Sequence, residues 1–447
     1  LVIAQAYFER LVFSNLQKGR KGFNNQLSYA RRGKMNSKAK FLKGAVCFMV
    51  FSLLVAFPLA AYAKDKIVIG AARPLSGALA FFEANAFGPL YKMWVDEVNA
   101  KGGIYVKEYG KKLPVEMLVY DDKSDMGTMT RLLDKLILQD KVDFVFPPAS
   151  TAFLFAAGAV TNRHGYLLIG AEGGATTIRD MLPGMPYFFM VLGFSDHFQM
   201  PVLADIFQEV GVKTAAILFI EDLHGIEYSG VATKEFNRKG IQIKMVKSAP
   251  PDIKDVSPIL KEAKSLNVDA FCSFTYPDTC FLATGTAQAI GYNPKAFLLG
   301  PGGNFEVYRK IFGVDVIEGV MGEGAWNAKS SPGAKDFVDR YTARYPADTL
   351  DWWGHNVYWA GLQVFQQAIE KAGTLDHKKI REVLVKEKFD TILGPTWFEN
   401  QLLAKECYQG QIGQWQKGIF EVIDPGPKRT AAPIYPKPPW PAPKPKK

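Results

Sequence analysis

The sequence predicts an α/β protein of two domains, and two observations carry that prediction. Short β-branched runs alternate with amphipathic stretches of helical period along most of the chain. The stretch that reads this way, roughly residues 64–425, is longer than one hydrophobic core usually organises. Alternation of this kind implies parallel sheets covered by helices. Ligands of such sheets sit outside the carboxyl ends of the strands, so the loops just after each strand are the ones to search.

The first 63 residues stand outside this pattern. Lys38, Lys40 and Lys43 form a positive segment, residues 44–60 are apolar, and Ala61-Tyr62-Ala63 is a small-x-small site before polar Lys64-Asp65-Lys66. That layout over 35–63 reads as a secretory signal peptide cleaved after Ala63, which implies the periplasm. A permanent anchor is the competing reading, and Pro58 and the Ala-x-Ala site favour cleavage. No cysteine follows the site, so no lipid anchor is expected. Residues 1–34 read as translated upstream sequence, because 30–34 back-translates to a purine-rich ribosome-binding stretch just before Met35.

Processing changes the charge. The whole chain carries +10, but residues 1–63 hold ten Lys/Arg and one Glu, which leaves 44 basic against 43 acidic residues. The net of +1 removes the argument for nucleic acid. Residues 426–447, dense in proline and lysine, read as an extended tail outside the core.

Expected strands run over 66–70, 115–120, 142–146, 166–170, 215–220, 241–246, 270–274 and 296–299. Helical patterns separate most of them, at 128–140, 200–210, 229–239 and 256–266. Cys272, Cys280 and Cys407 survive processing. In an oxidising compartment Cys272 and Cys280 admit either a disulfide or two buried thiols.

An enzyme finds no support. The first strand-to-helix turn lacks G-x-G-x-x-G, and no G-x-S-x-G elbow, P-loop or H-E-x-x-H occurs. The histidines at 164, 197, 224, 355 and 377 show no zinc-ligand spacing, so neither metal nor cofactor is expected.

One site reads directly from the residues. Ser150 and Thr151 follow a strand and open an apolar helix, where hydroxyls and backbone N–H groups favour a carboxylate. The same hydroxyls could also simply cap the helix.

The order of several segments carries a resemblance. Pro74-Leu75-Ser76-Gly77, then Asn99-Ala100-Lys101-Gly102-Gly103-Ile104, then Val119-Tyr120-Asp121-Asp122 open the chain. Val142-Asp143-Phe144-Val145, Gly300-Pro301-Gly302-Gly303, Phe389-Asp390-Thr391-Ile392-Leu393-Gly394 and Gln411-Ile412-Gly413-Gln414-Trp415 follow. Together they resemble the leucine/isoleucine/valine-binding family, the type I periplasmic binding proteins of ABC transporters, over about 65–425. The resemblance implies two Rossmann-like lobes joined by three hinge crossovers. Lobe one would be 65–190 plus 320–392, and lobe two 191–319 plus 393–425. It implies a small-molecule ligand trapped between the lobes, an inner-membrane ABC permease as partner, and a monomeric receptor. A sensor of the same fold, reporting to a regulator, is the alternative.

By the same resemblance Phe82 falls where an aromatic covers the ligand. Glu172 and Gly174 fall in a second binding loop, and His224 where lobe two contacts ligand; Tyr276, just after the expected strand 270–274, is a second aromatic candidate there. The family's amino-acid binders carry an acidic residue after the Gly-Pro of the lobe-two loop, and this chain has Gly302. A buried ammonium without a counter-charge is costly. The departure points to an amine-free carboxylate, with an aromatic body suggested by Phe82, His224 and Tyr276, whereas an amino-acid-like ligand stays open if Glu172 reaches across the cleft.

Overall fold

The computed structural model describes residues 64–171, 173–174, 176–192 and 198–442, so the segments 1–34 and 35–63 and Glu172 lie outside the described residues. Near the amino end, Ile67–Arg73 is the middle strand of a three-stranded parallel sheet, between Val115–Asp121 and Phe144–Val145. A second short sheet pairs Leu168–Gly170 with Phe188–Met190 and adds Leu402–Leu403 and Phe398–Glu399. The long helix His355–Ala372 packs behind both, burying Val364, Phe365 and Ala368.

The other sheet has seven strands. From edge to edge they are Ile419–Val422, Ile412–Gln416, Val320–Glu323, Ala296–Leu299, Ala270–Phe274, Thr214–Ile220 and Gln242–Ala249. The first two form an antiparallel hairpin and the rest run parallel. An interior strand of it, AFCSF (Ala270–Phe274), is buried on both faces, as a run without polar alternation must be. Among the described residues no helix is long and apolar enough to cross a membrane.

Two boundaries differ from expectation. Val320–Glu323 belongs to the seven-stranded sheet, so the chain leaves that sheet after 323 rather than at 320. Residues 398–403 still pair in the first group, so the last crossing comes after 403 rather than at 393. Short strands near a crossing carry too little periodicity to show which sheet they join.

The Cys272–Cys280 disulfide is not formed, and Cys272, Cys280 and Cys407 are free, buried thiols. Successive side chains of a strand point to opposite faces, and Cys272 packs with Met200, Phe207 and Ile217. Cys280 lies across the sheet with Phe271, Leu299 and Tyr308. Burial pushes the Cys280 thiol up to about 12. The native protein spanning residues 64–447 should therefore be inert to a thiol reagent at pH 8 and titrate three thiols once denatured. Two equivalents, or rapid labelling before denaturation, would contradict this packing.

The tail is a second correction. It docks instead of running out into solvent. Arg429 donates to both oxygens of Glu209 (2.8 and 2.6 Å). Ile434 and Gln414 exchange two hydrogen bonds, at 2.7 and 2.9 Å. Lys437 is 3% exposed, its backbone N–H donates to the Lys295 carbonyl at 2.7 Å, and its ammonium stands 3.4 Å from the Trp440 ring. Trp440 donates to the Tyr292 carbonyl at 2.6 Å and packs edge-on against Phe297. Composition marks the proline but not the apolar anchors Ile434, Tyr435 and Trp440 set among it.

Candidate functional site

A cavity of about 240 Å³ opens at the carboxyl ends of strands from both sheet groups. Its first wall comes from the helix Thr151–Arg163, whose amino end faces it. Ser150 stands just before that helix at φ +76°, ψ 155°, a conformation a non-glycine residue holds only under constraint from its surroundings. Its hydroxyl makes no capping bond to the helix, contrary to the capping reading. Gly173 lies against this helix start: a Cβ added there would sit 2.6 Å from Thr151 Cα and 2.9 Å from its nitrogen. Gly173 and Gly174 both line the cavity.

Behind the wall, Arg73 is 1% exposed and donates its Nε to Glu83 (2.9 Å) and its Nη1 to the Pro147 carbonyl. The guanidinium also lies over the Phe87 and Tyr91 rings, at 5.1 and 5.0 Å. Glu83 reaches it from a π-helical turn, Glu83–Phe87, set between Ala80–Phe82 and Gly88–Ala100. The pair therefore ties the first strand to the 147–151 loop.

The opposite wall comes from the seven-stranded sheet. The helix Leu223–Arg238 starts six residues before the expected 229, which puts His224 in its first turn rather than in a loop. Asp222 caps it, accepting from the Gly225 N–H at 3.0 Å. The second Asp222 oxygen accepts from the Tyr276 hydroxyl at 2.7 Å. Tyr276 stacks on His224, ring centroids 5.3 Å apart and planes 17° apart.

Behind His224 lies Glu323, 0% exposed, with its Oε1 3.6 Å from His224 Nε2. Among the described residues neither Glu323 oxygen has a hydrogen-bond partner. Burial raises the Glu323 carboxyl above its ordinary range, against the pull of His224. Burial also works against the His224 cation, but Glu323, with a share from Asp222, outweighs it and holds the imidazole above its usual value.

Aromatic rings join the walls. Phe82 meets Tyr276 (6.4 Å), Phe305 (5.8 Å) and Trp353 (5.5 Å), and Phe81 meets Phe281 edge-on at 5.9 Å. At the rim, both Glu227 oxygens accept the Thr177 backbone N–H at 3.1 Å, across the two sheet groups.

Of the residues read from the sequence, Phe82, Ser150, Thr151, Gly174, His224 and Tyr276 all line this cavity. Gly302 does not: its neighbour Pro301 does. Gly302 has φ +117°, and a Cβ on it would stand 2.5 Å from Pro277 Cα, so close backbone packing accounts for the glycine. Sequence reasoning missed Asp222, Tyr228 and Trp353 on the lining and Glu323 behind it. Only Asp222 had a local signal, as a helix-capping residue two before His224.

Residues 66–418 match the family described as periplasmic binding protein. Leu/Ile/Val-binding protein homolog 7 of Brucella suis biovar 1 (strain 1330) is 24% identical over 386 residues, covering 82% of this chain and 93% of the relative. Among solved structures, a solute binding protein of an ABC transporter from R. palustris in complex with 4-hydroxybenzoate superposes with TM-score 0.68. It is 18% identical, over 80% of this chain and 95% of that one. The branched-chain amino acid transporter substrate binding protein LivJ from Streptococcus pneumoniae, in complex with isoleucine, gives TM-score 0.67. It is 20% identical, over 80% of this chain and 98% of that one. The sheets, their order in the chain and the extent of the family match agree, and this chain belongs to the periplasmic binding protein family, with the α/β fold of its type I members.

Proposed function

We propose that this protein is the extracytoplasmic binding component of an ABC importer, and that it captures a small amine-free carboxylate, with an aromatic body favoured. The observation that carries this reading is the uncapped helix start at Ser150 and Thr151 facing His224 across an aromatic cavity. Backbone N–H groups at a helix start and a cationic imidazole both suit a carboxylate. Among the described residues, the acidic groups on and behind this lining are not free to serve an ammonium. Asp222 is held by Gly225 and Tyr276, Glu323 faces His224, and Asp278 stands on the exposed rim. A relative of the same fold that holds 4-hydroxybenzoate supports the aromatic body, and one that holds isoleucine supports the carboxylate that both ligands share. The two sheet groups act as lobes that close on the ligand, and the closed form is what an inner-membrane permease would recognise.

The test is a thermal-shift panel on residues 64–447, setting benzoate, 4-hydroxybenzoate and branched 2-keto acids against the branched amino acids. A ligand at a hundredfold excess over its Kd adds about 2.7 kcal/mol to the folded state. A shift with the amine-free acids supports the proposal. A shift with amino acids alone overturns the ligand class, and no shift with any carboxylate overturns carboxylate capture.

Closure gives Glu227 a role without ligand contact. Glu227→Ala removes the bond to Thr177 across the lobes and should weaken carboxylate affinity about tenfold, mainly through faster release, with little change in the ligand-free melting point. Equal affinity in isothermal titration would show that the contact does not hold the closed form.

A further inference from the structure

We infer that Glu323, which does not line the cavity, is a positioning residue that keeps His224 cationic and so gives this wall its preference for anionic ligands. The inference rests on the carboxylate reading above. A fully buried carboxylate with no hydrogen-bond donor is costly unless a cation or a proton compensates it. His224 Nε2, 3.6 Å from Glu323 Oε1, is the cation the fold brings to it. The contact is built in. Gly300 leaves room for the Glu323 side chain, since a Cβ on that glycine would come within 2.8 Å of Oε1. Tyr276 fixes the other side of the imidazole by stacking on it.

The groups facing the pair do not compete for the charge. The Tyr228 ring lies 4.4 Å from His224, and its phenol donates to Gln199. The Tyr276 hydroxyl donates a hydrogen bond to Asp222. The Cys272 and Cys280 thiols near Glu323 are kept neutral by burial. Asp222 has both oxygens engaged and reinforces the charge on His224 without occupying its ring nitrogens. With the imidazole held above its ordinary value, its charge persists to higher pH than that of an ordinary histidine and is lost as pH rises through the elevated value. Anion affinity should follow the same course.

Two measurements on residues 64–447 test this. The first is a ligand-free ¹⁵N NMR titration of His224 in wild type and Glu323→Gln. It should place the wild-type imidazole above the usual histidine value and the variant below the wild type. A wild-type value at or below the ordinary one, or an unchanged value in the variant, overturns the inference. The second is 4-hydroxybenzoate affinity at pH 5.5 and 7.5. Glu323→Gln should cost about tenfold at pH 7.5 and markedly less at pH 5.5. His224→Gln, which keeps a polar side chain but no charge, should be weak at both. A uniform loss across pH in Glu323→Gln would mean a structural role and overturn the inference. If wild type binds no carboxylate, the proposed function and the anion preference fall together, while the NMR titration still decides whether Glu323 charges His224.

Discussion

Replacing Gly173 with valine should lower carboxylate affinity at least a hundredfold, about 2.7 kcal/mol of binding free energy. The reason is steric and local. The new Cβ would lie 2.6 Å from Thr151 Cα and 2.9 Å from its nitrogen, so the loop or the helix start must move. Both line the cavity, and the displaced element is the one proposed to present N–H groups to the ligand. Isothermal titration with the best carboxylate of the panel reads the effect. Circular dichroism should show an unchanged fold, because the clash is confined to a loop at the cavity edge. Affinity within threefold of wild type would mean that the ligand does not use this helix start.

Truncation after Pro425 should do the opposite, sparing affinity and lowering stability. The docked segment contributes Trp440 against Phe297, Lys437 buried against Asn293 and Lys295, and the Arg429–Glu209 pair. Losing that cover should cost about 3–5 kcal/mol, from apolar surface returned to water and buried polar groups left without partners. The melting point should fall by about 5 °C for a unit of this size. The tail meets Lys295 and Gly319, just before the strands Ala296–Leu299 and Val320–Glu323, whereas the cavity lies past the strands' carboxyl ends. Carboxylate binding should therefore stay within about twofold of wild type. An unchanged melting point would show the segment to be loosely held.

The parts of the site legible in the sequence are those fixed by local chain geometry. Ser150 and Thr151 sit where a strand gives way to a helix, and Gly174 and Tyr276 follow buried strands, positions that face the cleft of any parallel sheet. His224 was found by its place in the order, although its helix begins earlier than the periodicity of 229–239 shows. The missed residues are those brought in by the tertiary fold. Trp353 comes from a loop more than 250 residues after Phe82, and nothing in its neighbourhood marks it. Glu323 ends a strand whose sheet partners decide where it points, so its meeting with His224 depends on strand order. Composition failed for the tail, where proline content hid three apolar anchors, and Cys272 and Cys280 ended on opposite faces of one sheet.

Trp353 has a practical consequence. Of the eight tryptophans, it is the one on the cavity wall, 8% exposed and edge-on to Phe82 and Tyr358. A solute bound as proposed would change the surroundings of this indole, whose emission responds to the polarity around it. The molecule thus carries its own optical reporter. Stopped-flow fluorescence can follow loading and release on unlabelled protein, and Trp353→Phe identifies the signal by removing it.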